Sequence, residues 1–326
     1  MGSWAGRSVL VTGAEGFIGS HLVDELLARE ARVRAFVHYS PFGRWGWLQN
    51  RLSDVEMLQG DIRDAERVAM AAAGVDVVFH LAALIGIPYS YEAPESYVQT
   101  NVVGTYNVLN AARRAGVERM VQTSTSEVYG TARHVPIDEG HPLQPQSPYS
   151  ASKIGGDMLA LSFHHSFGLP LAVVRPFNTY GPRQSLRAII PTVLQQLYSG
   201  SEEIRIGSTL PTRDFNYVTD TVAGFLAVAS SDKALGEVVN IGSGREIAIG
   251  DLVKLLIATT GRDARVVSDS DRLRPPGSEV ERLLCDNSRA REWAGWAPQV
   301  TLEQGLERTA RWVQENPDSK ARAYNV

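Results

Sequence analysis

Several features that define large classes of proteins are missing from this sequence. Cys285 is the only cysteine among 326 residues, which excludes an internal disulfide and any cysteine-rich zinc site. No run of about 18 apolar residues occurs, as a membrane-spanning helix would require. The formal net charge is −4, whereas a protein that binds nucleic acid is normally basic. We therefore expect neither a membrane nor a nucleic acid as a partner.

Two further signals are also missing. The first residues, Met1-Gly2-Ser3-Trp4, lack the basic and then apolar pattern of a secretory signal, so we expect a cytoplasmic protein. The His, Asp and Cys residues form no cluster with the spacing of metal ligands, so we predict no bound metal.

The composition is that of a folded chain with a substantial core. Hydrophobic residues make up 44% and charged residues 21% of the sequence, which argues against disorder. At roughly 150 residues per domain, the length predicts one large domain or two modest ones.

In the first half of the chain, short apolar runs alternate with helical patterns. We predict strands at residues 8–12, 33–37, 55–59, 75–81, 119–124 and 171–175, and helices at residues 21–29, 65–73, 100–115 and 149–167. This alternation is typical of a parallel sheet with helices on both faces. Strands that are apolar throughout are typical of strands buried on both sides.

Beyond Phe177 this alternation breaks down. We predict helices at residues 190–197, 219–230 and 301–315, and a buried strand at residues 237–241. Residues 272–277 contain two prolines and a glycine, so we predict a loop there.

Three glycines follow the first predicted strand. Gly13, Gly16 and Gly19 have the spacing Gly-x-x-Gly-x-x-Gly, between a strand and a helix. Glycines permit a tight turn and a close approach of the backbone to a pyrophosphate, and the N–H groups at the helix N-terminus attract that anion. The context favours a dinucleotide-binding loop, and an ordinary glycine-rich turn is the alternative.

The acidic residue that commonly follows such a loop by about 20 residues is missing. An acid there favours NAD through the ribose 2′-hydroxyl, and a basic group favours NADP. The second strand instead ends near His38, with Arg44 further along, so the choice between NAD and NADP stays open. Asp61, after the third strand, is expected either to contact the adenine or to cap a helix.

The most specific pattern in the chain is Tyr149-x-x-x-Lys153. At this spacing a phenol and an ammonium share one face of a helix. With only four lysines and 11 tyrosines in the chain, chance predicts about 0.1 occurrences of the pattern. The lysine is expected to lower the pKa of the tyrosine and make it a usable base. A surface pair without function is the alternative.

A polar triplet ends the fifth predicted strand. Thr125, Ser126 and Glu127 lie at its carboxyl end, the edge at which open α/β sheets bind ligands. Thr125 supplies a hydroxyl, and Glu127 supplies a carboxylate able to remove an acidic C–H proton next to a carbonyl. A helix cap or a salt bridge is the alternative role for Glu127.

Together these motifs resemble those of the extended short-chain dehydrogenase/reductase family, in its nucleotide-sugar branch. The resemblance covers nearly the whole chain and extends beyond the glycine loop, Tyr149 and Lys153. The further matching stretches are His80-Leu81-Ala82-Ala83, Asn101 in Thr-Asn-Val-Val-Gly-Thr, Arg175-Pro176-Phe177-Asn178, Thr212-Arg213-Asp214-Phe215 and Asn240-Ile241-Gly242. Within the branch, Thr125-Ser126-Glu127 resembles the Thr-Ser-Glu triplet of GDP-mannose 4,6-dehydratases, whereas dTDP-glucose 4,6-dehydratases carry Thr-Asp-Glu. The stretch Trp45-Gly46-Trp47-Leu48 and the run from Arg175 to Gln184 are most similar to bacterial 4,6-dehydratases that act on UDP- or GDP-N-acetylglucosamine.

The resemblance implies a fold and an assembly. The fold is α/β, a Rossmann-type doubly wound parallel sheet with a smaller C-terminal α/β substrate-binding domain. Residues 1–177 are expected to bind the dinucleotide, with residues 214–241 returning to that domain, and residues 178–326 mainly to bind the nucleotide sugar. The helices at residues 100–115 and 149–167 resemble the pair that forms a four-helix interface in this family, which implies a homodimer.

The reaction that the resemblance implies is 4,6-dehydration of an NDP-hexose, chiefly UDP- or GDP-N-acetylglucosamine, to the 4-keto-6-deoxy sugar. Tightly bound NAD(P) oxidises C4 transiently and is regenerated in each turnover. Tyr149 is expected to take the C4 hydroxyl proton with help from Lys153, and Thr125 to hydrogen-bond the C4 oxygen. Glu127 is expected to remove the C5 proton. Ser126 stands where the glucose enzymes have an aspartic acid, so the leaving hydroxyl is expected to be protonated either by Glu127 itself or through water.

Binding roles follow from the same resemblance. The expected cofactor contacts, besides Tyr149 and Lys153, are Gly13, Gly16, Phe17, Ile18, Gly19, His38, Asp61, Ile62, Leu81, Ala82 and Ala83. The expected substrate contacts are Asn178, Arg213, Arg274 and Arg183, since guanidinium groups match a diphosphate well; for any single arginine a solvated surface charge is the alternative. Trp45 and Trp47 are expected to form a lid or simply to pack their loop.

Other functions stay open on the same residues. A 4-epimerase or a UDP-glucuronate decarboxylase would use the same tyrosine and lysine, and the decarboxylases share the Ser-Thr-Ser-Glu stretch. A 5,6-dehydratase would use the same glutamate and stop before the hydride returns. A non-catalytic dinucleotide sensor would be expected to lack Tyr149 or Lys153, and both are present.

Overall fold

The strands of this protein form one large and two small sheets in the computed structural model, which describes residues 3–316. The strands are β1 (Ser8–Thr12), β2 (Arg32–His38), β3 (Glu56–Gly60), β4 (Val77–His80), β5 (Arg119–Thr123), β6 (Leu171–Pro176), β7 (Asn178–Tyr180), β8 (Glu203–Ile206), β9 (Thr212–Tyr217), β10 (Val238–Ile241), β11 (Glu246–Ala248) and β12 (Arg265–Ser268).

The large sheet is parallel and has the strand order β3-β2-β1-β4-β5-β6-β10. The order reverses between β1 and β4, where the chain leaves β1 toward one edge and later returns to build the other. In open α/β sheets, ligands bind in the crevice at the carboxyl ends of the strands at such a point. The glycine loop follows β1, and Leu81–Ala83 follow β4, so both lie at this crevice.

The helices are α1 (Phe17–Ala28), α2 (Ala65–Ala72), α3 (Ile87–Glu92), α4 (Pro94–Tyr97), α5 (Thr105–Ala115), α6 (Pro148–Phe167), α7 (Ile189–Tyr198), α8 (Val218–Ser230), α9 (Ile249–Thr260), α10 (Ser288–Ala294) and α11 (Leu302–Glu315). A π-helical stretch, Val98–Gly104, leads directly into α5. Among residues 3–316, every helix is too short or too polar to cross a bilayer.

Helices cover both faces of the large sheet, because side chains alternate between the faces of a strand. Val9 and Val11 of β1 pack on one face with Phe225 of α8. Leu10 packs on the other face with Leu109 of α5. This arrangement confirms the expected doubly wound α/β sheet.

A second core lies outside the large sheet. The three-stranded sheet β11-β9-β7 and the pair β12-β8 pack with α7, α9 and α11 through Val193, Leu252 and Leu306, which are fully buried. Residues 212–217 belong to this region, whereas β10 pairs with β6 of the large sheet. The division of the chain into two domains at the expected boundaries stays a prediction.

Most predicted elements are confirmed to within a few residues, and the largest shifts have local causes. α1 begins at Phe17 rather than at residue 21, directly after Gly16 of the glycine loop. The helix predicted at residues 100–115 opens as the π-helix. The hydroxyl of Thr105, the first residue of α5, donates a hydrogen bond of 2.7 Å back to the Asn101 carbonyl. The predicted loop at 272–277 overlaps two single 3₁₀ turns at its ends, Ser270–Arg272 and Pro276–Ser278.

Candidate active site

The glycine loop is held tightly between the ends of three strands. Gly13 has φ of +67°, and a Cβ there would lie 2.9 Å from the backbone of Ala82, so only glycine fits. Its N–H donates to the Phe36 carbonyl at 3.0 Å. α1 then begins with Gly16 as N-cap, and no side chain caps it. The first N–H groups of this helix, on Phe17, Ile18 and Gly19, therefore remain available to a pyrophosphate.

The end of β4 is joined to this loop by buried hydrogen bonds. The Leu81 and Ala82 N–H groups donate to the Thr12 hydroxyl at 3.2 and 3.1 Å, and Ala83 follows directly. His80 lies 2.8 Å from the same hydroxyl and 3.1 Å from that of Thr105. Burial lowers the pKa of His80 to about 3, so this imidazole is neutral.

His38, Asp61 and Ile62 meet at the ends of β2 and β3. The His38 ring lies 3.8 Å from the Asp61 carboxylate, and Arg63 lies 2.6 Å from it. The hydrogen bond from Arg63 lowers the pKa of Asp61. The helix-cap alternative for Asp61 is wrong, because Asp64 caps α2 with two hydrogen bonds of 3.1 Å. The Ile62 side chain is buried against Gly104.

Tyr149 and Lys153 lie on the first turns of α6 and are both buried, with exposed fractions of 7% and 5%. The Lys153 ammonium donates to the Thr123 carbonyl at 2.6 Å. Burial raises the pKa of Tyr149 well above its usual range, although a hydrogen bond with Thr125 partly opposes this. Burial also lowers the pKa of Lys153 to about 8. In this structure the pKa of Tyr149 therefore shifts in the direction opposite to the expected one, because desolvation is the largest contribution.

A buried amide fixes the backbone around Tyr149. The Asn101 side chain donates to the Ser152 hydroxyl at 2.9 Å and to the Leu84 carbonyl at 2.9 Å. Ser152 in turn donates to the Tyr149 carbonyl at 2.7 Å. Asn101 of the π-helix thus connects the segment after β4 to the first turns of α6, on which Tyr149 lies.

Thr125, Ser126 and Glu127 form a single turn directly after β5. Thr125 is the cap of this 3₁₀ turn, since its hydroxyl accepts a hydrogen bond of 3.2 Å from the Glu127 N–H. Ser126 and Glu127 are buried, with exposed fractions of 3% and 9%. The Glu127 carboxylate lies 3.6 Å from Arg274, and its charge also acts on Tyr149 and on Arg213. The structure therefore brings the predicted acid–base groups together.

A cavity of about 280 Å³ opens beside this turn and contains three of the four predicted substrate residues, Asn178, Arg213 and Arg274. Glu279 bridges the two arginines, at 3.0 Å from Arg213 and 3.8 Å from Arg274. The Asn178 side-chain oxygen is buried and has no hydrogen-bond partner among the described residues. Two guanidinium groups and an unsatisfied amide suit a phosphorylated sugar.

The fourth predicted substrate residue, Arg183, is placed differently. It does not line this cavity, and its guanidinium lies 2.8 Å from Asp24 of α1. Its role in substrate binding has no geometric support here.

The stretch Trp45–Leu48 is packed into the protein and does not form a free lid. Leu48 is fully buried, and the Trp47 ring meets Trp312 of α11 edge to face at 5.5 Å. Of the two expected alternatives, packing of the loop is the one that the structure shows.

Sequence reasoning missed part of the cavity wall. Glu279 and Arg187 line it, and no motif marked them beforehand. Arg187 and Glu279 come from segments rich in loops, where no strand or helix pattern fixes the direction of a side chain. Within residues 3–316, no three His, Cys, Asp or Glu side chains are grouped as metal ligands.

Comparison with known proteins gives the family. A family model described as GDP-mannose 4,6-dehydratase matches residues 10–309. A dTDP-glucose 4,6-dehydratase of Streptomyces antibioticus is 37% identical over 95% of this chain and 93% of its own length. A UDP-glucose 4-epimerase of Mycolicibacterium smegmatis is 34% identical over 94% of this chain and 98% of its own.

A solved structure agrees with these relatives. The crystal structure of DesIV, a dTDP-glucose 4,6-dehydratase from Streptomyces venezuelae with NAD bound, superposes with a TM-score of 0.86. It is 33% identical and covers 96% of this chain and 98% of its own. With its glycine loop, its Tyr149/Lys153 pair and its doubly wound sheet, this chain belongs to the GDP-mannose 4,6-dehydratase family, in the nucleotide-sugar 4,6-dehydratase branch of the extended short-chain dehydrogenases/reductases.

Proposed function

We propose that this protein is a 4,6-dehydratase that converts an NDP-hexose, chiefly UDP- or GDP-N-acetylglucosamine, into the 4-keto-6-deoxy sugar. The observation that carries the proposal is the placement of Glu127. Its carboxylate shares one buried site with Tyr149 and lies 3.6 Å from Arg274 at the wall of the cavity. A second proton acceptor beside the first is what an elimination after oxidation requires, and an epimerase has no such need.

The proposed mechanism has two proton transfers, one to Tyr149 and one to Glu127. Tyr149 takes the proton of the C4 hydroxyl, and Thr125 orients the C4 oxygen. Burial disfavours the phenolate, so the charge of Lys153 is needed to stabilise it, and a pKa of about 8 keeps Lys153 charged at neutral pH. Glu127 then removes the C5 proton, which the C4 carbonyl has made acidic. Ser126, buried in the same turn, is too weak an acid to protonate the leaving hydroxyl unaided, so Glu127 passes the C5 proton to the C6 hydroxyl, which leaves as water. The proton that Tyr149 took from the C4 hydroxyl balances the one that C5 regains when the hydride reaches C6.

The dinucleotide site supports NAD(P) as the cofactor. The uncapped start of α1, the close approach of Gly13 to Ala82 and the buried end of β4 fit a pyrophosphate and the groups attached to it. A bound NAD(P) would supply a reversible hydride acceptor facing Tyr149, and the overall reaction would involve no net oxidation.

The cavity arginines are proposed to hold the diphosphate. Arg213 and Arg274 are each within 4 Å of Glu279, which balances their charge when no anion is bound. A diphosphate carries enough charge to compete for both guanidinium groups. Asn178, with its unsatisfied oxygen, is left to accept a hydrogen bond from the substrate.

A homodimer is proposed from an apolar face. Five hydrophobic side chains on the π-helix, α5 and α6 are more than a third exposed, namely Val98, Val103, Tyr106, Met158 and Phe167. A patch of this kind commonly marks a protein interface. We expect light scattering at micromolar concentration to give a mass close to that of two chains. A mass of one chain would contradict the dimer.

The test of the function is the mass of the product. The protein is incubated separately with UDP-N-acetylglucosamine, GDP-N-acetylglucosamine, dTDP-glucose and UDP-glucuronate, and each mixture is examined by mass spectrometry. Loss of one water from an N-acetylglucosamine nucleotide supports the proposal. Loss of carbon dioxide from UDP-glucuronate, or an isomer of unchanged mass, identifies a decarboxylase or an epimerase instead.

A further inference from the structure

A carboxylate stands at the end of β2 although the sequence places no acid there. Glu15 lies within the glycine loop, between Gly13 and Gly16. Its Oε1 accepts a hydrogen bond of 2.8 Å from the His38 N–H, at the last residue of β2. In folds of this kind, an acidic residue at the end of that strand binds the adenosine ribose. Glu15 therefore brings the missing type of group to the expected place by a different route.

The position of Glu15 is fixed from a second side. The Trp47 N–H donates to the Glu15 carbonyl at 3.2 Å. Gly46 has φ of +55°, and a Cβ there would lie 2.8 Å from the Glu15 Cβ. The buried Leu48 and the contact of Trp47 with Trp312 anchor this segment in turn. Two backbone contacts and a strand end thus preorganise the carboxylate.

The carboxylate still has hydrogen-bonding capacity. Among residues 3–316, Glu15 Oε2 is buried and accepts no hydrogen bond. A buried acceptor without a partner is unfavourable, and a hydroxyl donor would satisfy it after a small rotation of the carboxylate. A ribose 2′-hydroxyl is such a donor, whereas a 2′-phosphate offers only further negative charge.

The cations near this strand end are already engaged. The Arg63 guanidinium lies 2.6 Å from Asp61, and the His38 ring, which is 73% exposed, lies 3.8 Å from the same carboxylate. Arg44 stacks over the Phe42 ring at 5.8 Å. The carboxylates of Glu15 and Asp61 therefore lie near the end of β2, and the basic side chains close to it already contact other groups.

We propose that Glu15 selects NAD over NADP, by accepting a hydrogen bond from the adenosine ribose and by repelling a 2′-phosphate. The inference rests on the dinucleotide site of the proposed function and adds its specificity. The sequence alone left the choice between NAD and NADP open, and the placement of Glu15 favours NAD. Like charges brought together in a binding site are strongly unfavourable, so one carboxylate is enough to produce a large preference.

The test measures cofactor binding and does not depend on turnover. Dissociation constants for NAD and NADP are determined by titration calorimetry on protein freed of cofactor, and the nucleotide that copurifies with untreated protein is identified by mass. We expect NAD to copurify and to bind about 100-fold more tightly than NADP, because a carboxylate and a 2′-phosphate would repel each other in this site. Equal affinities, or NADP as the copurifying nucleotide, would overturn the proposal.

A variant assigns the preference to this residue. Glu15→Gln keeps an oxygen acceptor for the His38 N–H and removes the charge, so we expect the NAD-to-NADP ratio to fall by about tenfold or more. Glu25→Gln, the same change at the exposed partner of Arg29 on α1, is the matched control and should leave the ratio unchanged. An unaltered ratio in a folded Glu15→Gln protein contradicts the assignment.

The wild-type titration decides the specificity even where the variant fails to fold. Failure of the proposed function has a separate signature, because a 4-epimerase of this fold would lose no water from its substrate and would still show the cofactor preference.

Discussion

The two sides of the candidate site are built in different ways. On the cofactor side, backbone groups at the ends of neighbouring strands create the site, as where Gly13 meets Ala82 and Phe36. On the cavity side, side chains create it, since Glu127 pairs with Arg274 and Arg213 pairs with Glu279 across large separations in the chain. Backbone sites tolerate few changes of shape, whereas paired side chains determine which charge enters the cavity. Substitutions on the two sides should therefore have different consequences.

The largest effect is expected where the two sides meet, at Tyr149. Tyr149→Phe removes the group that we propose takes the C4 proton, so hydride transfer should slow by about 10² or more. The rate is followed by the absorbance of the reduced nicotinamide in a single turnover. Tyr198→Phe, which removes the same atom from α7, should have little effect, and an undiminished rate in Tyr149→Phe would remove this residue from the mechanism.

The second-largest effect is expected for Glu127→Gln, which tests the two proton transfers separately. Glu127→Gln should lower deuterium exchange at C5 by about 10², because the amide does not accept the proton, and should leave reduction of the cofactor nearly intact. NMR of the sugar recovered from heavy water gives the exchange. Exchange at the wild-type rate would mean that another group is the base, and the cavity side would then only bind substrate.

A substitution that changes the shape of the glycine loop should affect the cofactor side alone. Gly13→Ala places a Cβ 2.9 Å from the Ala82 backbone at a φ of +67°, so we expect a loss of about 2 kcal/mol in the free energy of unfolding. Cofactor affinity should fall as well. Urea titration and calorimetry measure the two effects, and Gly116→Ala, also at φ of +67° but in open space, is the control for backbone strain alone.

The smallest expected effect is on the pH dependence of stability, through His80 at the end of β4. His80 has a pKa of about 3 in the folded protein, lowered by burial, and about 6.5 when unfolded. Between these values the unfolded chain binds one proton more, so stability is complete above pH 6.5 and falls as the pH is lowered, by about 1.4 kcal/mol per pH unit. His80→Gln should show a shallower decrease between pH 6.5 and 5 in urea titrations. Equal slopes would mean that His80 is protonated in the folded state.

The cofactor side was largely predictable from the sequence, and the contrast between the two sides explains why. Gly13, Leu81 and Tyr149 lie at element boundaries that local patterns mark, so their positions follow from the fold. The position of the Glu15 side chain does not follow from the fold, because its hydrogen bond with the His38 N–H depends on the path of the glycine loop over the end of β2. The same holds for Glu279, which reaches Arg213 from a proline-rich loop without a periodic pattern.

Burial set a second limit on prediction. The spacing of Tyr149 and Lys153 correctly indicated that they share a helix face, but the sequence does not show how far both are withdrawn from water. That burial reverses the expected direction of the Tyr149 pKa shift. The pairing of Arg183 with Asp24 was equally invisible, since it joins two segments far apart in the chain.

The most direct test of the account follows one hydrogen atom. An NDP-N-acetylglucosamine carrying deuterium at C4 is converted by the protein in ordinary water, and the product is examined by NMR. The account predicts a 4-keto-6-deoxy sugar with the deuterium at C6, since the hydride leaves C4 and returns to the carbon that lost its hydroxyl. Deuterium retained at C4 of an isomerised sugar, or a 5,6-unsaturated product without deuterium at C6, would contradict it.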